Sequence, residues 1–119
     1  MRTLLPFVIL SLLPLGSSSA GERFACNAKA LSEAERSRYQ ELSQALFAAV
    51  QERRELPDGY GFRVSAAEWL RAGEWVSLER RCCPFFTFAL EQTRDGGPVW
   101  LRVTGPAGVK AFLREELGL

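Results

Sequence analysis

The chain has 119 residues, 47% of them hydrophobic and 24% charged, with a formal net charge of +1. This is the composition of an ordinary soluble globular domain. There is no histidine, and the one methionine is Met1, which excludes hydrolases with a histidine base, histidine-ligated zinc or copper, and haem held by histidine or methionine. The near-neutral charge also gives no support for a nucleic-acid partner, because such binding requires a basic surplus.

The first twenty residues have the pattern of a cleavable export signal. An apolar run from Leu4 to Leu15 is followed by small residues up to Ala20. The run is shorter than the roughly 20 residues of a transmembrane helix and no second run occurs, so we expect no integral membrane span. Cleavage after Ala20 would leave 99 residues with fourteen basic and fourteen acidic side chains.

We therefore predict a signal peptide over 1–20, a lead-in segment over 21–30 and a single domain over 31–119 in a secreted or periplasmic protein. The alternative is a misassigned start, with the protein beginning near Gly21 in the cytoplasm. Because one core is what a chain of this length can bury, a second domain is not expected.

The first half of the domain predicts two helices separated by a strand. Ser32 and Glu35 form a capping-box pattern that opens a helix over 31–55, and the turn residues 56–59 end it. Alternating apolar residues over 60–64 predict a strand. A second capping-box pattern, Ser65 with Glu68, opens the next helix, and Pro84 ends it near Cys82.

The second half predicts a hairpin and a last helix. Strands over 85–90 and 99–103 flank a turn-rich loop, and Thr104-Gly105-Pro106 opens the helix. The fold class is thus α+β, with a three-stranded antiparallel sheet and three helices in the order α-β-α-β-β-α. We expect the first strand beside the third and the last two helices on one face of the sheet.

The position of the first helix stays open, since it could cover the opposite face or pack at an edge. We expect Phe85, Ala89 and Trp100 to share that second face. An apolar surface of this kind has to be covered by the first helix, a ligand or a second copy of the chain. The sequence therefore suggests a homo-oligomer formed through this face.

The strongest chemical signal comes from three cysteines, Cys26, Cys82 and Cys83. Cys82 ends a predicted helix and Cys83 begins a strand, so the two thiols should diverge unless something holds them together. Adjacent cysteines rarely bond each other, so the simplest disulfide joins Cys26 to one of the pair and leaves the other free. It would close a loop of nearly sixty residues and stabilise the fold by a few kcal/mol.

A second hypothesis is a site for a soft metal or metalloid ion. Two or three thiolates suit Cu(I), Hg(II) or As(III), whereas zinc would need a fourth ligand such as Glu79. Glu79 and Arg80 could equally form a solvated surface pair. Thiol redox chemistry is weakly indicated because there is no C-x-x-C motif, and the cysteines could also be small buried hydrophobes.

The segment from Glu79 to Phe88, with an E-R-x-C-C-P-F-x-x-F core, is followed by Gly97 to Pro106 and by Phe112-Leu113. Together these segments resemble a family of small uncharacterised bacterial proteins, similar to modules found beside regulators of the mercury-resistance type. The resemblance extends from Cys26 to Leu119. It implies a thiol-rich module linked to soft-metal stress. Relatives with this pattern look cytoplasmic, so the export signal is a departure that favours a disulfide.

We accordingly expect an exported, non-enzymatic domain that binds a soft metal or metalloid ion through Cys26, Cys82 and Cys83, with Glu79 and Arg80 in support. The first alternative is a disulfide-stabilised interaction domain that uses the face described above. The second alternative is a thiol redox protein, which would need an exposed cysteine of low pKa.

Overall fold

The computed structural model describes residues 24–119, so the predicted signal peptide over 1–20 lies outside the described residues. Within this range, two single-turn 3-10 helices, Ala28–Ala30 and Ala66–Glu68, accompany three α-helices and four strands. In chain order, these are α1 (Glu33–Ala48), β1 (Glu52–Leu56), β2 (Gly59–Val64), α2 (Trp69–Cys82), β3 (Thr87–Gln92), β4 (Val99–Thr104) and α3 (Val109–Leu117).

The four strands form one antiparallel sheet in the order β1-β2-β4-β3. Strand β2 pairs with β4 from Gly59 opposite Thr104 to Val64 opposite Val99, which confirms that the first predicted strand lies beside the last one. The α+β class and the antiparallel arrangement are also confirmed. The predicted number of three strands is wrong, because the sheet gains a fourth at one edge.

The additional strand, β1, lies where the sequence predicted the end of a helix. Helix α1 stops at Ala48, and β1 forms a hairpin with β2 across the two residues Pro57 and Asp58. Four of the five residues of β1 are charged and suit a helix as well as a strand, which misled the prediction. An edge strand has one free side and tolerates such charges.

Gly59 fixes the close approach of this hairpin to β4. A Cβ atom at this position would collide with the carbonyl oxygen of Val103. The glycine of the Pro57-Asp58-Gly59 sequence is therefore required by strand packing as well as by the turn.

All three helices pack on one face of the sheet. The capping box of Ser32 and Glu35 forms as predicted at the start of α1. Trp75 of α2 is fully buried and donates a hydrogen bond to the Ser43 hydroxyl of α1 at 3.0 Å. The ring of Phe47 contacts both Trp75 and Phe62 of β2. Helix α1 thus joins the same layer as α2, and it does not cover the opposite face.

Two predicted helix starts require correction. Ser65 makes no capping hydrogen bond with its side chain, and a 3-10 turn delays α2 to Trp69. Pro106 precedes the last helix. This helix begins after Gly108, whose backbone is in the left-handed region with φ 92°. The predicted end of α2 at Cys82 is confirmed.

The outer face of the sheet, opposite the helices, contains only two of the three apolar residues predicted to share it. Ala89 and Trp100 lie on it, with the Arg54 guanidinium 4.5 Å from the Trp100 ring centre. Phe85 instead packs against Phe24 and other rings on the helical side. Strand β3 starts only at Thr87, so the period-two alternation does not extend back to Phe85. The residues Phe85, Ala89 and Trp100 therefore do not form the single surface through which an oligomer was expected.

No helix within residues 24–119 combines the length and the apolar character that crossing a membrane requires.

Candidate thiol site

The lead-in segment crosses the C-terminal end of α2. The backbone N–H of Asn27 donates to the carbonyl oxygen of Cys82 at 2.7 Å, which satisfies one of the free carbonyls at the helix end. Ahead of it, the Phe24 ring lies 5.0 Å from the Phe85 ring. These contacts dock Cys26 beside the adjacent cysteine pair.

Arginines hold the next part of the lead-in. Arg81 donates to the carbonyl oxygen of Ala30 at 2.9 Å and pairs with Glu35 of the α1 capping box. Arg36 donates to the carbonyl oxygen of Leu31 at 2.9 Å. Arg80, which the sequence suggested as a supporting residue, is exposed. Within residues 24–119 it forms neither an ion pair nor a side-chain hydrogen bond, so it is Arg81 that contacts the lead-in.

Cys26 and Cys83 form a disulfide with their Cα atoms 4.7 Å apart and a sequence separation of 57. Cys82 is the free cysteine of the described chain and is buried. The pairing of Cys26 with one member of the adjacent pair is therefore confirmed, and the structure identifies the member as Cys83.

The two adjacent cysteines converge, contrary to the expectation that their side chains diverge. The Sγ atoms of Cys82 and Cys83 are 3.8 Å apart, and both residues are buried. The backbone of Cys83 is no longer helical, with φ −125° and ψ 71°, but its N–H still donates to the carbonyl oxygen of Glu79. The chain turns inward at this residue, so its thiol stays beside that of Cys82.

Glu79 belongs to the same cluster. Its side chain is 1% exposed, and one carboxylate oxygen lies within 4.8 Å of the sulfurs of both Cys26 and Cys83, which themselves are bonded. Glu79 precedes Cys82 by three residues and Cys83 by four, which places it on the same side of α2. The interpretation of Glu79 and Arg80 as a solvated surface pair is therefore wrong for Glu79.

Burial controls the protonation of this cluster. It raises the pKa of Glu79 to about 7, against a smaller lowering by a hydrogen bond from Tyr39. The Oε2 atom of Glu79 is buried and has no hydrogen-bond partner within residues 24–119. Burial also raises the pKa of Tyr39, with the nearby Glu79 charge as the next cause. A protonated Glu79 is the form that such surroundings favour.

The free thiol is held in its protonated form. Burial raises the pKa of Cys82 to about 11, and the charge of Glu79 adds to this effect, while Arg81 opposes it only weakly. An exposed cysteine of low pKa, which the redox alternative required, is therefore not provided by Cys82.

A cavity of about 220 Å³ lies beside the cysteines, between the lead-in and α1. Cys26 and Cys82 both line it, and so do Leu31 and Tyr39. The charged side chains of Arg36 and Glu116 contribute opposite signs to its wall. A small molecule entering the cavity would therefore lie against both cysteines.

Sequence reasoning found the three cysteines and named Glu79, but it missed the burial of that carboxylate and the contributions of Tyr39 and Arg81. The i, i+3 and i, i+4 spacing of Glu79 to the cysteine pair was the available signal for the carboxylate. Tyr39 and Arg81 could not be found in this way, because they join the site through the packing of α1 and the lead-in.

Comparison with known proteins gave no match to a family model, to a curated protein or to a solved structure. The function therefore has to be inferred from the geometry of this site.

Proposed function

We propose that the reduced protein binds one soft metal or metalloid ion through Cys26, Cys82 and Cys83. The observation that carries this proposal is that Cys83 Sγ lies close to both other sulfurs. It is bonded to Cys26 Sγ and lies 3.8 Å from Cys82 Sγ, although Cys82 Sγ is outside the group of donor atoms that lie within 4.8 Å of one another. Reduction of the disulfide would leave three sulfur donors in one cluster, and Cu(I), Hg(II) and As(III) prefer this donor set.

The lead-in supports the proposal because noncovalent contacts hold Cys26 in place. The Asn27 bond to the Cys82 carbonyl, the Arg81 bond to the Ala30 carbonyl and the Phe24 ring contact do not involve the disulfide. Reduction would break one bond and leave these three, so the Cys26 thiol is retained beside Cys82 and Cys83. A site that survives reduction in this way is a requirement of the proposal.

Proton release is the expected chemical signature of binding. Only thiolates ligate, so an incoming ion has to displace the proton from each thiol. Because burial raises the pKa of Cys82, that thiol is protonated at neutral pH, and the affinity should increase as the pH rises. Glu79 is close enough to offer a carboxylate oxygen to a four-coordinate ion such as zinc or cadmium.

The test is titration of the anaerobically reduced and desalted protein with Cd(II) and with arsenite. We expect one ion per chain, ultraviolet sulfur-to-metal charge-transfer absorption for Cd(II), and three thiols protected from alkylation by arsenite. The oxidised protein should bind neither ion, and the double variant Cys82→Ser, Cys83→Ser should lose binding. Arg80→Ala is the matched control on the exposed side of α2 and should bind like the wild type.

Unchanged affinity in the double variant would overturn the proposal, and so would equal binding by the oxidised protein. Circular dichroism of each reduced variant, recorded before titration, distinguishes loss of ligands from loss of the fold.

The disulfide itself favours a second candidate function, that of an exported domain stabilised by the Cys26 to Cys83 bond and acting through noncovalent contacts. This candidate fits the proposed export signal, since disulfides persist outside the cytoplasm. Thiol counting by mass spectrometry on protein from the native host separates the two. One free thiol and cleavage after Ala20 favour the exported domain, whereas three free thiols on a chain that keeps residues 1–20 favour the soft-ion site.

A further inference from the structure

The two cysteines of the disulfide differ in exposure. Cys26 is half-buried and lines the cavity of about 220 Å³, whereas Cys83 is 0% exposed and does not line it. A nucleophile that occupies the cavity would therefore lie against Cys26 and not against Cys83.

The size and lining of the cavity define the chemical class of this occupant. Since a water molecule takes up about 30 Å³ in the liquid, the cavity has room for a molecule of several heavy atoms. Arg36 and Glu116 place one positive and one negative side chain at its wall, and the amide of Gln40 adds a polar group. A small thiol that carries both a carboxylate and an amino group complements these charges.

We propose that this cavity binds a low-molecular-weight amino-acid-type thiol, which opens the disulfide by exchange at Cys26. The thiolate attacks Cys26 Sγ and forms a new sulfur–sulfur bond to it. The bond from Cys26 to Cys83 breaks, its electron pair goes to Cys83 Sγ, and Cys83 takes the proton that the incoming thiol lost to water. The number of disulfides is unchanged, so this step needs no other oxidant or reductant.

A second molecule of the same thiol completes the reduction. It attacks the sulfur of the first molecule, which leaves joined to it as a small disulfide, and Cys26 is released as a thiol. Two electrons pass from two small thiols to the protein. This reaction requires no metal, so the inference is independent of the soft-ion proposal, and its product is the three-thiol form that the proposal uses.

The experiment uses Cys83→Ser, in which a mixed disulfide at Cys26 cannot be released by the buried partner. The protein is incubated with free cystine, quenched with acid and mapped by peptide mass spectrometry. We expect one added cysteine on Cys26, at least ten times faster than on Cys82. Earlier modification of Cys82 would overturn the inference.

A pair of substitutions tests the cavity itself in the protein that retains its disulfide. Gln40→Trp fills the cavity from α1, whereas Gln44→Trp places the same side chain one turn further along α1, at an exposed position outside the lining. We expect Gln40→Trp to slow opening of the disulfide by free cysteine about tenfold or more, and Gln44→Trp to react like the wild type.

Equal rates for the two tryptophan variants would overturn the inference. Both reactions are repeated in urea, where the fold and the cavity are absent and the two rates should become equal. Retained circular dichroism in buffer shows that each variant is folded, so a slow reaction of Gln40→Trp reports the cavity.

Discussion

Helix α2 has exposed apolar side chains at one end and a buried carboxyl group and thiol at the other. At its N-terminal end, Leu70 is 82% exposed and Trp69 is 40% exposed. At its C-terminal end, the carboxyl group of Glu79 and the thiol of Cys82 are buried. Scattered exposed apolar residues are common in proteins, but a buried carboxyl group without a full set of partners is costly. The C-terminal end is therefore the part of the helix where burial of a polar group costs free energy.

The lead-in is the reason for this difference. It covers the C-terminal end of α2 through the disulfide and the Asn27 hydrogen bond, whereas no comparable segment within residues 24–119 covers Leu70. Substitutions at the covered end should therefore have large effects that depend on redox state and pH, and substitutions at the uncovered end should have small ones.

The largest effect is expected from removal of the disulfide. Its sequence separation of 57 corresponds to about 4 kcal/mol of stability if the bond acts by restricting the unfolded chain. Cys26→Ser should lower the free energy of unfolding by about this amount in urea titrations followed by circular dichroism. Reductant should destabilise the wild type similarly, but it should leave Cys26→Ser unchanged. An effect below about 1 kcal/mol would contradict a stabilising role of the bond.

The next effect is the pH dependence that Glu79 imposes. Its pKa is raised in the folded protein from 4.5 to about 7, so the folded state binds the proton more tightly than the unfolded state. Stability from this group is complete below pH 4.5 and is lost as the pH rises to about 7, by about 3 kcal/mol in total. Glu79→Gln cannot ionise, so its stability should stay flat across this window in urea titrations of the oxidised protein.

Glu35 provides the matched control for Glu79. The hydrogen bond from Arg81, followed by that from the Ser32 backbone, lowers the pKa of Glu35 to about 2. Its contribution is therefore present above pH 4.5 and is lost as the pH falls towards 2. Glu35→Gln should remove the change on the acid limb and lower the curve above it, while the slope from pH 4.5 to 7 stays as in the wild type. A flat wild-type curve from pH 4.5 to 7 would show that the pKa of Glu79 is not raised in the folded protein.

A smaller effect is expected at Arg81. Arg81→Ala removes the contacts with Glu35 and with the Ala30 carbonyl, but exposed ion pairs contribute only about 0–1 kcal/mol. Hydrogen exchange should report faster opening of residues 24–31, with a loss of stability under about 1 kcal/mol. Arg80→Ala is the neighbouring control and should change neither quantity. Equal exchange in the two variants would show that Arg81 does not hold the lead-in.

The smallest effect is expected at the uncovered end. Leu70→Gln should change the free energy of unfolding by less than about 0.5 kcal/mol, since the side chain is almost fully exposed. Leu78→Ala lies on the same helix but in the core, and should cost about 2–4 kcal/mol. A cost at Leu70 similar to that at Leu78 would mean that the N-terminal end is buried against another copy of the chain in solution.

Local signals were sufficient for much of the fold. The capping box of Ser32 and Glu35 and the stop imposed by Pro84 are decided by neighbouring residues, so they could be predicted. Strand β1 could not, because its charged residues become a strand only by pairing with β2. For the same reason, Phe85 was assigned to the wrong face, since the start of β3 depends on where pairing with β4 begins.

The sequence by itself identified the three cysteines as the candidate reactive groups, since histidine is absent. It also indicated that the simplest disulfide joins Cys26 to one member of an adjacent pair. Only the tertiary structure decided that the member is Cys83, that Cys82 stays 3.8 Å away and that Glu79 is buried beside them. The physical reason is that distance, burial and pKa depend on segments far apart in the chain, and here the lead-in covers the end of α2.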